Sequence, residues 1–471
     1  MFSKKNRNFT EGPLFSQLFL FALPIMLTGV LQILYSMADN IVVGRFSGDE
    51  LALGAVGSTT SLVNLTLHLL LGLSVGSSVV VSRAFGAKQN EEVSRTAHTA
   101  MTVALFGGIL FMAMGLIISR PVLTLIGTNA ELLDNAVLYY RIICLGLPAS
   151  AIYNFGAAIL RSVGDSKTPL IILSSSGIIN VIFNIFFVVV CKMTVDGVAI
   201  ATIISQYISA ICILLVLSKR KNECYGLSRR KYCFDFGQFK KILRFGIPAG
   251  IQSSMFGISN VLLTSGINSF GIPAYVNAYT ITANIDNLTY TVCNSFSSAA
   301  LTSAGQNYGA NNLPRIKHTL IFSLIQTTAA GLIVGILEYI FLNYISALYL
   351  EPGSSEIFRS QIMEQVHSIC SLLLFTYFLC GVMEVFSSTA RALGYSFTSM
   401  IISLFGICGL RIVWLYFVFP LEYFHTPRGL LTSYPVTWSI TALALCILVI
   451  IAWRRLKRTL PKESDKIPSL K

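Results

Sequence analysis

One carboxylate, Asp39, stands well inside a long apolar stretch that begins at Leu14. An uncompensated charge at a bilayer centre costs from ~3 to more than 10 kcal/mol, so an acid kept in such a place is a functional candidate. At a rise of about 1.5 Å per residue it falls in the outer half of a membrane-spanning helix. Asn180 and Asn184 are one helical turn apart and share a helix face, at a depth that reaches Asp39. Thr202, close to the outer end of the next apolar block, can complete an oxygen-lined cluster. One carboxylate among neutral oxygens suits a proton or a sodium ion, because burial disfavours a bare charge and hard cations take oxygen ligands. The amides have a plainer reading too, as interhelical hydrogen bonds of ~0.6 kcal/mol each.

Further along, Asp286, Glu338 and Arg411 fall at a similar outer-half depth, which predicts an ion pair, structural or functional. Glu384 stands two turns before Arg391, where it can be solvated, paired locally or functional. His68 and His367 lie in or beside apolar blocks, where a lone histidine is more often a packing group than a proton carrier. Pro24 and Pro248 each remove a backbone hydrogen bond from an apolar helix, which makes Pro24 a candidate hinge on the helix that carries Asp39. No nucleophile-and-base pair or metal-ligand cluster appears in the loops. The chain is therefore not expected to be an enzyme, to hold a cofactor beyond a coupling ion, or to bind a metal beyond sodium at Asp39.

The elements that position these residues are membrane helices. Of the 471 residues 54% are hydrophobic and 12% charged, against roughly 25% charged in soluble domains. The apolar residues come in blocks of about 20 or more, the length that spans a bilayer. Breaks at Gly, Pro and charge clusters give about twelve helices: Leu14 to Val43, Ala52 to Ser82, Ala97 to Ile118, Asn135 to Leu160, Pro169 to Cys191 and Gly197 to Leu217, then Phe245 to Ile267, Ala274 to Ala304, Thr319 to Leu342, Val366 to Thr389, Thr398 to Phe419 and Leu430 to Trp453. The expected organisation is a six-helix bundle over 1–218, a basic linker over 219–244, a second bundle over 245–453 and a basic tail over 454–471. The N-terminal basic residues precede a stretch too long for a signal-peptide core, so the first helix is expected to stay. The cysteines sit mostly in apolar blocks and are expected to be reduced packing residues.

The formal charge is +13. Most basic residues cluster at ends that this count assigns to one side of the membrane, above all in SKRKNECYGLSRRKYCFDFGQFKK. That is the positive-inside bias, and it places both termini and the linker in the cytoplasm. It also argues against nucleic acid as a partner. Two Asn-Leu-Thr sequons, at Asn64 and Asn287, lie inside apolar helices and are not expected to be glycosylated.

The halves read as copies. Sliding the chain by 223 residues places Gly48 on Gly271, Asn64-Leu65-Thr66 on Asn287-Leu288-Thr289, and Gly86-Ala87 on Gly309-Ala310. A shift of 230 places Arg161, Gly164, Ser166 and Thr168 on Arg391, Gly394, Ser396 and Thr398. An even number of helices per copy makes the repeats parallel, an arrangement of transporters whose sites lie near mid-membrane. The runner-up is a flippase for lipid-linked precursors, which would want a basic cavity; a channel or receptor fits the duplication less well.

Pro24, Ala38-Asp39, VVGRFSGDELALGAVG, RAFGA and AILRSVGDSKTP in the first half, with NYGA and ARALG in the second, resemble the multidrug and toxic compound extrusion family over essentially the whole chain. The resemblance implies twelve helices in two bundles about a V-shaped cleft. It implies export of cationic amphipathic compounds coupled to a proton or sodium gradient; a monomer in a bacterial inner membrane is expected. It also implies that Asp39 is the coupling carboxylate, with Asn180 and Thr202 beside it. Some relatives carry a second acid where this chain has Asn184, and the branch with acids on helices seven and ten is not matched at helix seven, so the coupling ion stays open.

Overall fold

The structure is a computed structural model that describes residues 8–46, 52–228, 232–350 and 355–459. Gly48, the basic residues at positions 4–7 and the tail beyond 459 lie outside the described residues. Those described are almost wholly helical. Twelve long segments follow one another: α1 (Leu14–Phe46), α2 (Ala52–Gly86), α3 (Asn90–Leu125), α4 (arms Ala130–Leu145 and Leu147–Ser162), α5 (Lys167–Ile185, extended by a π-helical turn Phe186–Val190) and α6 (Val195–Lys219). Then come α7 (Phe236–Asn268), α8 (Pro273–Gly309), α9 (Leu313–Ile340), α10 (arms Glu356–Thr376 and Phe378–Ala392), α11 (Ser396–Ser403 on through Trp414–Val418) and α12 (arms Pro427–Leu431 and Ser433–Thr459).

Nine of these are long and apolar enough to cross a bilayer, and α4, bent by 45° at Gly146, makes a tenth. The other two, α7 and α8, are long enough but more polar. Their polarity is turned inward: Thr282, Thr289, Ser295, Ser297, Thr302, Ser303, Gln306 and Asn307 of α8 are all buried. Inside a bilayer a buried hydroxyl or amide finds partners on neighbouring helices, so a spanning helix can carry such residues when they face protein.

Several helices start before the ends expected from hydropathy, because polar caps begin them earlier. Asp235 accepts a hydrogen bond from the amide of Gln238 at 3.0 Å and begins α7 nine residues before the apolar block at Phe245. Asn312 caps α9 on the amide of Arg315 at 3.2 Å, and Ser355 caps α10 on that of Phe358 at 3.3 Å.

The backbone carries the duplication. Lys88 and Asn311, 223 residues apart, take left-handed φ angles of 58° and 56°; Gly164 and Gly394, 230 apart, take 89° and 100°. Each pair occupies the same inter-helix turn. Both fourth helices break into two arms, and both fifth helices contain π-helical turns. A left-handed Lys or Asn costs free energy that a copied turn preserves.

The chain forms two compact units, the first from Phe19–Phe85 and Gln89–Ser265, the second from Phe9–Leu18, Gly86–Lys88 and Gly266–Lys471. Within the first, α7 meets α2 backbone to backbone. A Cβ on Gly72 would stand 2.0 Å from the Cα of Gly250, and one on Gly76 2.2 Å from the carbonyl oxygen of Ile242. The residues after α6 are fastened to the same unit: Arg220 pairs with Asp165 at 2.8 Å, and the buried ring of His98 contacts the backbone of Ser228. Burial pushes the Cys224 thiol up, which keeps it unreactive. All ten cysteines are free.

In the second unit, Ala274, Ala278, Ile281 and Ile285 of α8 interlock with Ile362, Val366, Cys370 and Leu374 of α10. The segment Phe9–Leu18 is strapped to this unit. Arg315 donates to the carbonyls of Phe9, Glu11 and Gly12, at 2.5, 2.7 and 2.9 Å, and Phe9 is fully buried.

Candidate cation site in the first unit

Asp39, Asn180, Asn184 and Thr202 converge from three helices. The Asn184 side-chain amide donates to the Asp39 carboxylate and to the Asn180 Oδ1 at 3.3 Å, and Asn180 donates to the Thr202 hydroxyl at 3.4 Å. Thr202 completes the chain by donating to the carbonyl of Val198 at 2.9 Å. Helix α5 sets the order: its two asparagines, four residues apart, stack along one face, with Asn184 fully buried and Asn180 nearly so. Asp39 on α1 remains half-buried.

One atom in this chain of bonds is left over. The Asn184 Oδ1 is buried with no hydrogen-bond partner, next to the carboxylate that its own Nδ2 holds. An orphaned buried acceptor costs about 1–3 kcal/mol. Beside a carboxylate it is a ready ligand for a small cation, and the donor set of carboxylate, amide and hydroxyl oxygens is what a proton or alkali ion requires.

Two tyrosines that the sequence reading did not single out belong to this place. Tyr35, one turn before Asp39, donates to the carbonyl of Ser174 at 3.1 Å and packs against Gly177, where a Cβ would stand 1.9 Å from the ring. Its spacing from Asp39 was a usable signal. Tyr139 of α4 lies within electrostatic reach of Asp39, and nothing in the local sequence marks it. Pro24 does not interrupt α1, which runs unbroken from Leu14 to Phe46, and its carbonyl accepts from the Thr28 hydroxyl at 2.7 Å.

The second-unit candidates lie at two levels. Glu338 of α9 accepts from the Thr289 hydroxyl at 2.5 Å, while Asp286 of α8 feels the charges of both Glu338 and Arg411. The Arg411 guanidinium lies over the Tyr434 ring at 4.0 Å. Glu384 is separate, buried against Arg391 at 3.4 Å. His68 is half-buried on α2, and His367 contacts Asn343 at 2.6 Å. Among the described residues no three His, Cys, Asp or Glu side chains gather as a metal site.

The profile of the MatE family matches residues 24–186 and again 248–417, starting on Pro24 and on Pro248. The chain is 27% identical to the probable multidrug resistance protein YoeA of Bacillus subtilis, over 77% of this chain and 78% of that one. It is 28% identical to YpnP of the same organism, another probable multidrug resistance protein, over 77% and 80%. In fold it is similar to a multidrug resistance MATE transporter of the MOP superfamily solved in an outward-facing conformation, with a TM-score of 0.87, 20% identity, and 97% of this chain and all of that one covered. A MOP superfamily transporter from Pyrococcus furiosus, described as having a binding pocket of reversed polarity, aligns with a TM-score of 0.89 at 20% identity over the same shares.

Proposed function

We infer the function from one premise: this chain belongs to the MatE family, the multidrug and toxic compound extrusion transporters, and is a multi-pass membrane protein rather than an enzyme. It works as a secondary antiporter. It exports cationic, amphipathic organic compounds from the cytoplasm across a bacterial plasma membrane, in exchange for protons or sodium ions. Relatives named for multidrug resistance support the substrate class, and the bias of basic residues supports cytoplasmic termini.

The observation that carries the coupling assignment is the orphaned Asn184 Oδ1 beside Asp39. A cation entering from outside is held by the carboxylate and that oxygen, with Asn180 and Thr202 relaying hydrogen bonds to α6. Uptake neutralises Asp39 and changes how tightly α1 is held to α5. Pro24 lets the rest of α1 follow, because its ring leaves one turn of the helix without a hydrogen bond. Cation and drug then weaken each other's binding by the same factor, as linkage requires. The linker 219–244 and the tail 454–471 stay on the cytoplasmic side of the two bundles, 1–218 and 245–453. The transporter acts as a monomer.

The test is efflux of a fluorescent organic cation from proteoliposomes, with a proton gradient and a sodium gradient imposed separately. Efflux driven by one gradient names the ion. Efflux that ignores both removes the antiporter and favours the flippase of lipid-linked precursors.

A further inference from the structure

We propose that Glu338, held by the Thr289 hydroxyl, and Asp286, which feels its charge, form a second proton-binding site in the second unit, on α8 and α9, with Arg411 as its fixed counter-charge. The inference goes beyond the Asp39 reading and stands on different atoms. Glu338 is 3% exposed, two residues before the C-terminal end of a helix of membrane-spanning length. Its Oε2 accepts from the Thr289 hydroxyl at 2.5 Å, and its Oε1 is buried with no hydrogen-bond partner. A buried carboxylate with one bare oxygen is among the costliest arrangements a protein can keep. A proton on Oε1 removes both the charge and the orphaned acceptor.

Charge balance sets the number of ions. Asp286 and Glu338 carry two negative charges when ionised, and Arg411, which acts on Asp286, carries one positive charge. One unit is left to be balanced, so one monovalent cation neutralises the cluster. A proton fits better than sodium, because a guanidinium within the cluster repels a metal ion and adds no oxygen ligand. The groups that face these acids from neighbouring helices keep the count unchanged: Cys293 of α8, Cys370, Tyr377 and Cys380 of α10, and Tyr434 of α12 are neutral when protonated.

Infrared difference spectroscopy on the full-length transporter in lipid, taken through a pH titration, reads protonated carboxyl groups directly. Wild type is expected to lose two protonated-carboxyl bands as pH rises. Glu338→Gln keeps an acceptor for Thr289 and should delete one band; Asp286→Asn should shift that same band, and Asp39→Asn should delete the other. Thr289→Ala serves as a second probe and should move the Glu338 band while leaving the acid in place. The number of protons moved per drug molecule should fall by one in Glu338→Gln. A Glu338 that is ionised across the whole range would overturn the proposal in favour of a permanent salt bridge. So would a band displaced by sodium at constant pH, which would make this a sodium site. Loss of only the Asp39 assignment would leave the Glu338 band in place.

Discussion

The two halves of the chain carry the same backbone and different chemistry. With Pro24 set on Pro248, the position of Asp39 falls on Leu263, and the 230-residue shift sets Asn180 and Asn184 on Leu410 and Trp414. In the other direction, Asp286 and Glu338 fall on Val63 and Gly115, and Arg411 on Val181. Yet the left-handed turns at Lys88 and Asn311, and at Gly164 and Gly394, survive in both copies. Turn geometry and helix breaks are fixed by the fold and tolerate little change. The candidate site residues sit on different helices in the two copies: α1, α5 and α6 in the first, α8, α9 and α11 in the second.

The largest expected effect comes from removing the first unit's charge. Asp39→Asn should abolish gradient-driven efflux while the protein still folds, because Asn keeps the size of the side chain and can still pair with Asn184. Asn184→Ala takes away both the donor to Asp39 and the orphaned oxygen. The loss of about 1–3 kcal/mol should weaken the coupling ion by roughly 5- to 150-fold, read as a shift in the ion concentration that half-drives efflux. Gly177→Ala pushes a methyl into the Tyr35 ring, and overpacking of about 1–3 kcal/mol should lower thermal stability and slow transport without changing which ion drives it. The smallest effect sharpens the comparison most: Leu263→Asp placed into Asp39→Asn should restore nothing, since its copy has neither amide. Restored coupling there would mean that the repeats are chemically interchangeable.

Much of this was legible in the sequence. The apolar blocks gave the helices, and the spacing of Asn180 and Asn184 gave a face that does meet Asp39 and Thr202. Hydropathy by itself undercounts the spans, because α7 and α8 hide polar side chains inside the protein. The start of α7 was misplaced because a single cap, Asp235, decides it and leaves no mark on hydropathy. Tyr139 was invisible for another reason: it reaches the site from a helix distant in sequence, and only the packing of α4 brings it there. The orphaned oxygens of Asn184 and Glu338 are likewise properties of the folded chain, since unsatisfied bonding is known only once every neighbour is placed.

The central claim is that Asp39 couples the ion to the drug rather than simply supporting the fold. Counterflow and uphill efflux, measured on the same Asp39→Asn proteoliposomes, separate the two. The account predicts that exchange of labelled for unlabelled drug persists near the wild-type rate while uphill efflux driven by either gradient disappears. Uphill efflux that survives in Asp39→Asn, or exchange that is lost together with it, would contradict the assignment.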